Sequence, residues 1–195
     1  MKKIYLILLS SIVLVSSCQK TISDFDPSTS QGTGTPTGSG SFVATIDGKQ
    51  FTFTITAATL LRSQAANEKR LDVTGTSTDG TQRIIITLGE ETYQGNAVTV
   101  KSYVLNAFPE DDPATPTIDE SLTTQGFTTY GTASGSNWIY GIYDEKGSFT
   151  VSSCDASTTL ISGTFSTTLT DLNDSTHIVT ITAGKLTNVK YTILN

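Results

Sequence analysis

The hydrophobic pattern of the chain changes character twice. After a short positive start at Met1-Lys2-Lys3, residues Ile4 to Val15 form an apolar run interrupted only by Ser10 and Ser11. A membrane-spanning helix needs about 20 apolar residues. This run is shorter, and its length and flanks predict a signal peptide over residues 1–17. Residues 19–41 offer almost nothing apolar to bury, passing into a Ser/Thr/Gly/Pro tract through Gly32, Gly34, Pro36, Gly38 and Gly40. Such a composition predicts a disordered linker, with a reach of about 25 Å as a flexible coil.

From Phe42 the period becomes two. Phe42, Ala44 and Ile46 alternate with Val43 and Thr45, and Phe51, Phe53 and Ile55 alternate with Thr52, Thr54 and Thr56. Alternation of this kind predicts half-buried strands. Asp47-Gly48 between them is a strong hairpin signal, because glycine accepts the positive φ such a turn requires. Residues 57–70 hold the one stretch with helical character, around Ser63 to Glu68. They lack an extended apolar stripe, so a turn or loop fits them equally. Leu71–Ser77 and Gln82–Leu88 flank Asp79-Gly80 as a second hairpin. The Ile84-Ile85-Ile86 run predicts a strand covered on both faces. Further strands are expected over Val98–Asn106, Phe127–Ala133, Asn137–Asp144, Ser148–Cys154, Leu160–Leu169, His177–Ala183 and Leu186–Leu194. A proline-containing acidic loop is expected over 107–125 and a turn at Asp144 to Gly147.

About ten short strands predict an all-β domain over residues 42–195, an antiparallel β-sandwich or a flattened barrel. No amphipathic helix long enough for a parallel crossover is visible. A membrane-spanning barrel fits poorly, since the strands are short and too Thr-rich for an apolar outer band. Composition supports the strand reading. Threonine supplies 36 of the 195 residues, and its branched Cβ favours strands over helix interiors.

Val15-Ser16-Ser17-Cys18 places small residues directly before a cysteine. This resembles the lipobox read by the bacterial lipoprotein peptidase. The resemblance implies cleavage before Cys18, a diacylglycerol thioether on its sulfur and acylation of the new amino terminus. Residues 18–41 then become a lipidated cysteine and its linker. Several acyl chains make a stable anchor, each buried CH₂ adding roughly 0.8 kcal/mol. Phe42-Val43-Ala44-Thr45-Ile46-Asp47-Gly48-Lys49-Gln50-Phe51, Ser162-Gly163-Thr164-Phe165, and Ile181-Thr182-Ala183-Gly184-Lys185-Leu186 with Val189 and Tyr191 resemble motifs of small Bacteroidota outer-membrane lipoproteins. The domain of those lipoproteins has no assigned function. Leu186 departs from the Phe expected at that position. The motifs are structural and carry no catalytic residue across. Ser23-Asp24-Phe25-Asp26 is similar to the short acidic signal that sends some Bacteroidota lipoproteins to the cell surface. Surface display is therefore expected ahead of a periplasmic orientation.

Charge narrows the partners. Loss of Lys2 and Lys3 with the leader leaves 10 of the 12 basic residues against 18 acids, a net charge of −8. An acidic chain without a basic cluster argues against nucleic acid and against direct electrostatic binding to anionic lipid. With Cys18 lipidated, only Cys154 remains, so no intramolecular disulfide is available.

No catalytic set stands out. His177 is the only histidine, it lies at a strand start, and no Gly-x-Ser-x-Gly elbow is present. Zinc sites built from His and Cys would have one of each, and no cation flanks Cys154 to activate its thiol. Asp171 to Ser175 begins like a calcium loop, but Thr176 and Thr182 stand where Gly and Glu are needed, so a plain Asn-Asp turn is expected. Paired acids, Glu90/Glu91, Glu110/Asp111/Asp112, Asp119/Glu120 and Asp144/Glu145, are the remaining enzymatic option. All fall in expected turns or loops. No cofactor or metal is implied. Aromatics give the one positive hint of binding: Trp138 and Tyr140 share a strand face, with Tyr130 nearby in sequence. Exposed, they would suit sugar rings; the competing reading makes Trp138 a core anchor. The expectation is a non-enzymatic, lipid-anchored envelope protein that binds a ligand or partner, with a glycan first among them. A structural or assembly lipoprotein is the alternative, and a carboxylate-based hydrolase the third.

Overall fold

A computed structural model describes residues 39–105, 125–134, 137–171, 174 and 176–195, and their side chains except at 137–145. The strands are β1 (Ser41–Ile46), β2 (Lys49–Ser63), β3 (Glu68–Ser77), β4 (Gln82–Glu90), β5 (Ser102–Leu105), β6 (Gly126–Ser134), β7 (Asn137–Asp155), β8 (Leu160–Asp171), β9 (Ile178–Lys190) and β10 (Thr192–Leu194). Among the described residues there is no helix, so the all-β expectation holds.

The strands form a single sheet in the order β1-β9-β8-β7-β6-β4-β3-β2-β10, with β5 added on β7. β1 is bonded to β9 on one side and to β2 on the other. The sheet therefore curls back on itself over one core. Among the described residues it is neither two separate sheets nor a barrel sealed all the way round, for β5 pairs with β7 alone there. All pairings are antiparallel except β10 on β2, where Thr192, Ile193 and Leu194 lie against Thr59, Leu60 and Leu61 in parallel.

The alternation seen in the sequence explains which face turns inward. Phe42, Ala44 and Ile46 of β1 and Phe53 and Ile55 of β2 are buried. Phe42 stacks on Phe53 with ring centroids 4.7 Å apart and meets Phe165 edge-on at 5.9 Å. Phe165 stacks on Phe149 at 5.9 Å. These rings need bare backbone beside them. A Cβ on Gly75 would come within 2.5 Å of Phe42, and one on Gly163 within 2.4 Å of Phe149. β4 is buried from Ile84 through Leu88, which bears out the strand covered on both faces.

Three expectations change. Residues 57–63 and 68–70 are strand, and only 64–67 turn. Ala58 and Leu60 are buried in alternation with Ala57 and Thr59, after a bulge between Ile55 and Ala57 has reset the phase. The expected turn at Asp144 to Gly147 is a bulge inside one long β7. β9 likewise runs unbroken through Ala183. The expected loop over 107–125 lies outside the described residues except for Gln125.

Successive strands define two ends. The β1–β2, β3–β4, β6–β7 and β8–β9 turns share one. The other holds the β2–β3 and β7–β8 turns, the segment 91–101, and the point where the chain enters the sheet. There Lys190 N donates to Ser39 O at 3.2 Å.

Candidate functional site

The entry end is closed by the segment 91–101, and the side chains that hold it come from five strands and the residue after β9. Lys69 of β3 and Glu90 of β4 form an ion pair of 2.8 Å with each side chain 6% exposed. Lys69 Nζ also donates to Gln94 O at 2.9 Å. Glu90 Oε1 accepts from Thr99 N at 2.6 Å and from the Tyr103 hydroxyl, which lies 2.9 Å from Thr99 O. Burial alone would push the Glu90 carboxyl up. The bonds from Lys69, Tyr103 and Thr99 outweigh that and hold it at about 2. Burial first, and then the Glu90 carboxylate, drive the Tyr103 hydroxyl far above its ordinary range. Arg62 of β2 reaches Tyr93 O at 3.0 Å and Asn96 Oδ1 at 2.7 Å. Tyr191 donates to Asn96 O at 2.7 Å, and the half-buried Cys154 thiol sits 3.6 Å from its hydroxyl. Val98 of the same segment is buried in the core. The polar groups of this cluster are engaged with one another, so it acts as a clasp on the segment rather than as a free acid or base.

This cluster went unread in the sequence, although a signal existed. Lys69 has the parity of Leu71 and Val73 on β3, which places a lysine on the core face.

Of the expected aromatic set, Tyr130 is the one whose side chain is described. Tyr130 is a core residue, 6% exposed, with its hydroxyl bonded to Gln82. Burial first, and then Asp47, raise that hydroxyl to about 12. The burial of Tyr130 follows from register: it pairs with Ile84, whose side chain faces the core. Trp138 and Tyr140 pair with Ala133 and Gly131; their side chains lie outside the described residues. Cys18 also lies outside them, as do Ser23 to Asp26 and the acids at 110–112 and 119–120. Of the pair Glu90/Glu91, Glu90 is committed to Lys69 and Glu91 is exposed. His177 is 56% exposed, with Nδ1 3.5 Å from Asp171 Oδ2. Asp174 accepts from the Thr176 amide at 3.0 Å and its hydroxyl at 2.6 Å; Leu172, Asn173 and Ser175 of the expected Asn-Asp turn lie outside the described residues.

A second region lies on the outer wall of β7, β8 and β9. It is an open hollow of about 360 Å³ lined by the exposed Ser148, Thr150, Thr164, Ser166 and Lys185, while the Phe165 ring beneath faces the core. Among the described residues, many outward side chains of these strands are Ser, Thr or Lys. The surface thus offers hydroxyls that both donate and accept. Composition hinted at a hydroxyl-rich face.

Compared with known protein families, curated proteins and solved structures, the chain matches none.

Proposed function

We propose that the protein is a non-enzymatic, lipid-anchored lipoprotein of the cell envelope whose β-domain is a ligand-binding module, with carbohydrate as the ligand. The address rests on Val15-Ser16-Ser17-Cys18 behind the apolar leader, which resembles the lipobox, and on the likeness to small Bacteroidota outer-membrane lipoproteins. The anchor is the acylated Cys18, and the domain stands off the outer membrane on residues 19–41. Ser23-Asp24-Phe25-Asp26 favours the cell surface over the periplasm.

The observation that carries the binding half of this reading is the hydroxyl-lined hollow on β7–β9. Polyhydroxylated ligands are recognised by groups that donate and accept together, set around a modest apolar contact. Trp138 and Tyr140 stand eight or more residues before Ser148 on β7, about 25 Å or more along the strand, so the hollow is proposed without them; Tyr130, buried, leaves the proposal as well. The test is thermal stabilisation of the full chain by a broad glycan panel. A rise in midpoint with at least one glycan supports the reading, and no rise with any sinks it.

One observation favours the alternative, a structural or assembly lipoprotein acting through protein contacts. Val104 on β5 and Val100 just before it are 58% and 57% exposed, beside a strand that pairs only with β7 among the described residues. Crosslinking in intact cells that recovers the monomer alone would count against that role.

A further inference from the structure

We infer that the domain docks reversibly on the lipid bilayer through an entry-end patch of β2 and β10, with Leu61 and Leu194 among the headgroups. The inference rests on the lipid-anchor reading and gives the domain a membrane-facing side. β2 gives one edge to β3, so β1 along residues 49–53 and β10 along residues 59–61 share the other. The chain enters beside them: Ser39 O accepts from Lys190 N at 3.2 Å, two residues before β10 begins. Leu60 belongs to the core and Ile193 packs against it, so the next residue on each strand turns outward. Those two are Leu61 and Leu194, 38% and 46% exposed and opposite each other in register. The β2–β3 turn extends the patch with Ala65 and Ala66, both exposed. Among the described residues, the far end offers one large exposed apolar side chain, Ile178. Apolar side chains presented in this way enter the boundary between headgroups and acyl chains.

The tether decides which end meets the bilayer. A coil the length of residues 19–38 reaches about 25 Å. The far turns lie a strand away, about 50 Å along the 15 residues of β2, so the entry end is the one held within reach. Charge points the same way. Among the described residues the far end carries Asp47, Asp79, Asp171 and Asp174 against Lys49 and Arg83, whereas at the entry end Arg62, Lys101 and Lys190 stand against Glu68, Glu91 and Asp155. The balanced end is turned to the lipid phosphates and the acid-rich end away from them. Arg70, across from Leu61, is bonded to Asp72 at 3.0 Å. Two leucines make a weak contact. The tether makes a weak contact sufficient, because a short flexible linker turns docking into an intramolecular event with an effective concentration on the order of millimolar.

The test is amide NMR of the full lipidated chain, ¹⁵N-labelled, on phosphatidylcholine nanodiscs containing a gadolinium-chelating lipid. Signals of residues 61–66 and 193–194 should be lost, while those of residues 47–49 and 79–81 persist. Raising the salt should leave that pattern unchanged, because the contact is apolar. Leu61→Ser combined with Leu194→Ser should restore the lost signals with the chain still on the discs and its unfolding midpoint unchanged, both side chains being exposed. Val104→Ser, an equally exposed valine on β5, should leave the losses in place. Equal broadening at the two ends, or stronger broadening at the far end, would overturn the docking. Losses that survive the double leucine variant would mean that the tether alone holds that end near lipid, and would overturn the leucine contact. Losses that appear only with anionic lipid would overturn its apolar basis. A chain that washes off the discs would remove the lipid-anchor reading itself, and this inference with it.

Discussion

At the scale of single residues, Lys69 and Glu90 set the energetics of the entry end. Two charges leave water there and are repaid only because each finds further partners: Gln94 O for the amine, Thr99 N and Tyr103 for the carboxylate. Removing one partner strands the other, which typically costs about 3–5 kcal/mol. Lys69→Met and Glu90→Gln should each lower the unfolding free energy by that amount, read as a fall in the urea midpoint with the slope of the transition unchanged. The same pair fixes the response to acid. The Glu90 carboxyl is held at about 2, below its ordinary 4.5. Its contribution is therefore complete above pH 4.5 and is lost as pH falls toward 2, because the unfolded chain takes up the proton first. Asp79, Asp155 and Asp174 are shifted in the same direction, led by hydrogen bonds from Ser77, Ser157 and Thr176 respectively. Urea midpoints measured down that interval should fall, and fall less steeply in Lys69→Met. Ala183 makes the opposite case. Its left-handed backbone costs an alanine roughly 1–2 kcal/mol, and glycine would relieve that while losing about 0.5–1 kcal/mol to unfolded-chain entropy. Ala183→Gly should raise stability by up to about 1 kcal/mol in the same unfolding assay.

At the scale of elements, the segment 91–101 has no strand ladder of its own and keeps its place through side chains. Tyr191→Phe removes the donor to Asn96 O, a bond worth about 1 kcal/mol. Amides over residues 93–99 should then exchange about fivefold faster, while those of β8 and β9 keep their protection; uniform loss of protection would mean the contact supports the whole sheet instead. The elements also show what a sequence carries. Strands with unbroken alternation were legible: β1, the start of β2, and β8, whose inward residues Ile161, Gly163, Phe165, Thr167 and Leu169 keep strict parity. Asp47-Gly48 was legible because both residues take positive φ. Bulges hid the rest. One inserted residue moves every later side chain to the other face, so a period-2 reading ends the strand there. That is why β2 seemed to stop near Thr56 and why β7 and β9 each looked like two strands. The clasp could have been found from the parity of Lys69. The hollow could not, because the residues that line it are brought together only by the pairing of three strands. Tyr130 misled for the same reason, since nearness in sequence to Trp138 says nothing about which face it takes.

At the scale of the whole molecule, the described core is drawn from residues between Phe42 and Tyr191, and the first described hydrogen bond of the incoming chain is at Ser39. On the proposed reading, lipid on Cys18 decides where the domain is held and not how it is built. Cys18→Ala should therefore release the chain from the membrane fraction and leave its unfolding free energy within about 0.5 kcal/mol of wild type, the range of substitutions remote from a core. A mutant that stayed in the membrane fraction would remove the lipid anchor from the proposal; one that was released but destabilised would show that the amino-terminal region contributes to the fold. Orientation is a separate question, answered by protease treatment of intact and permeabilised cells. Loss of the domain in intact cells is expected, with Asp24→Ala and Asp26→Ala together shifting it to the protected pool. If the domain is protected until permeabilisation in the wild type as well, the acidic signal has no bearing on export. The hollow would then face the periplasm, where its saccharide would come from the envelope itself and not from outside the cell.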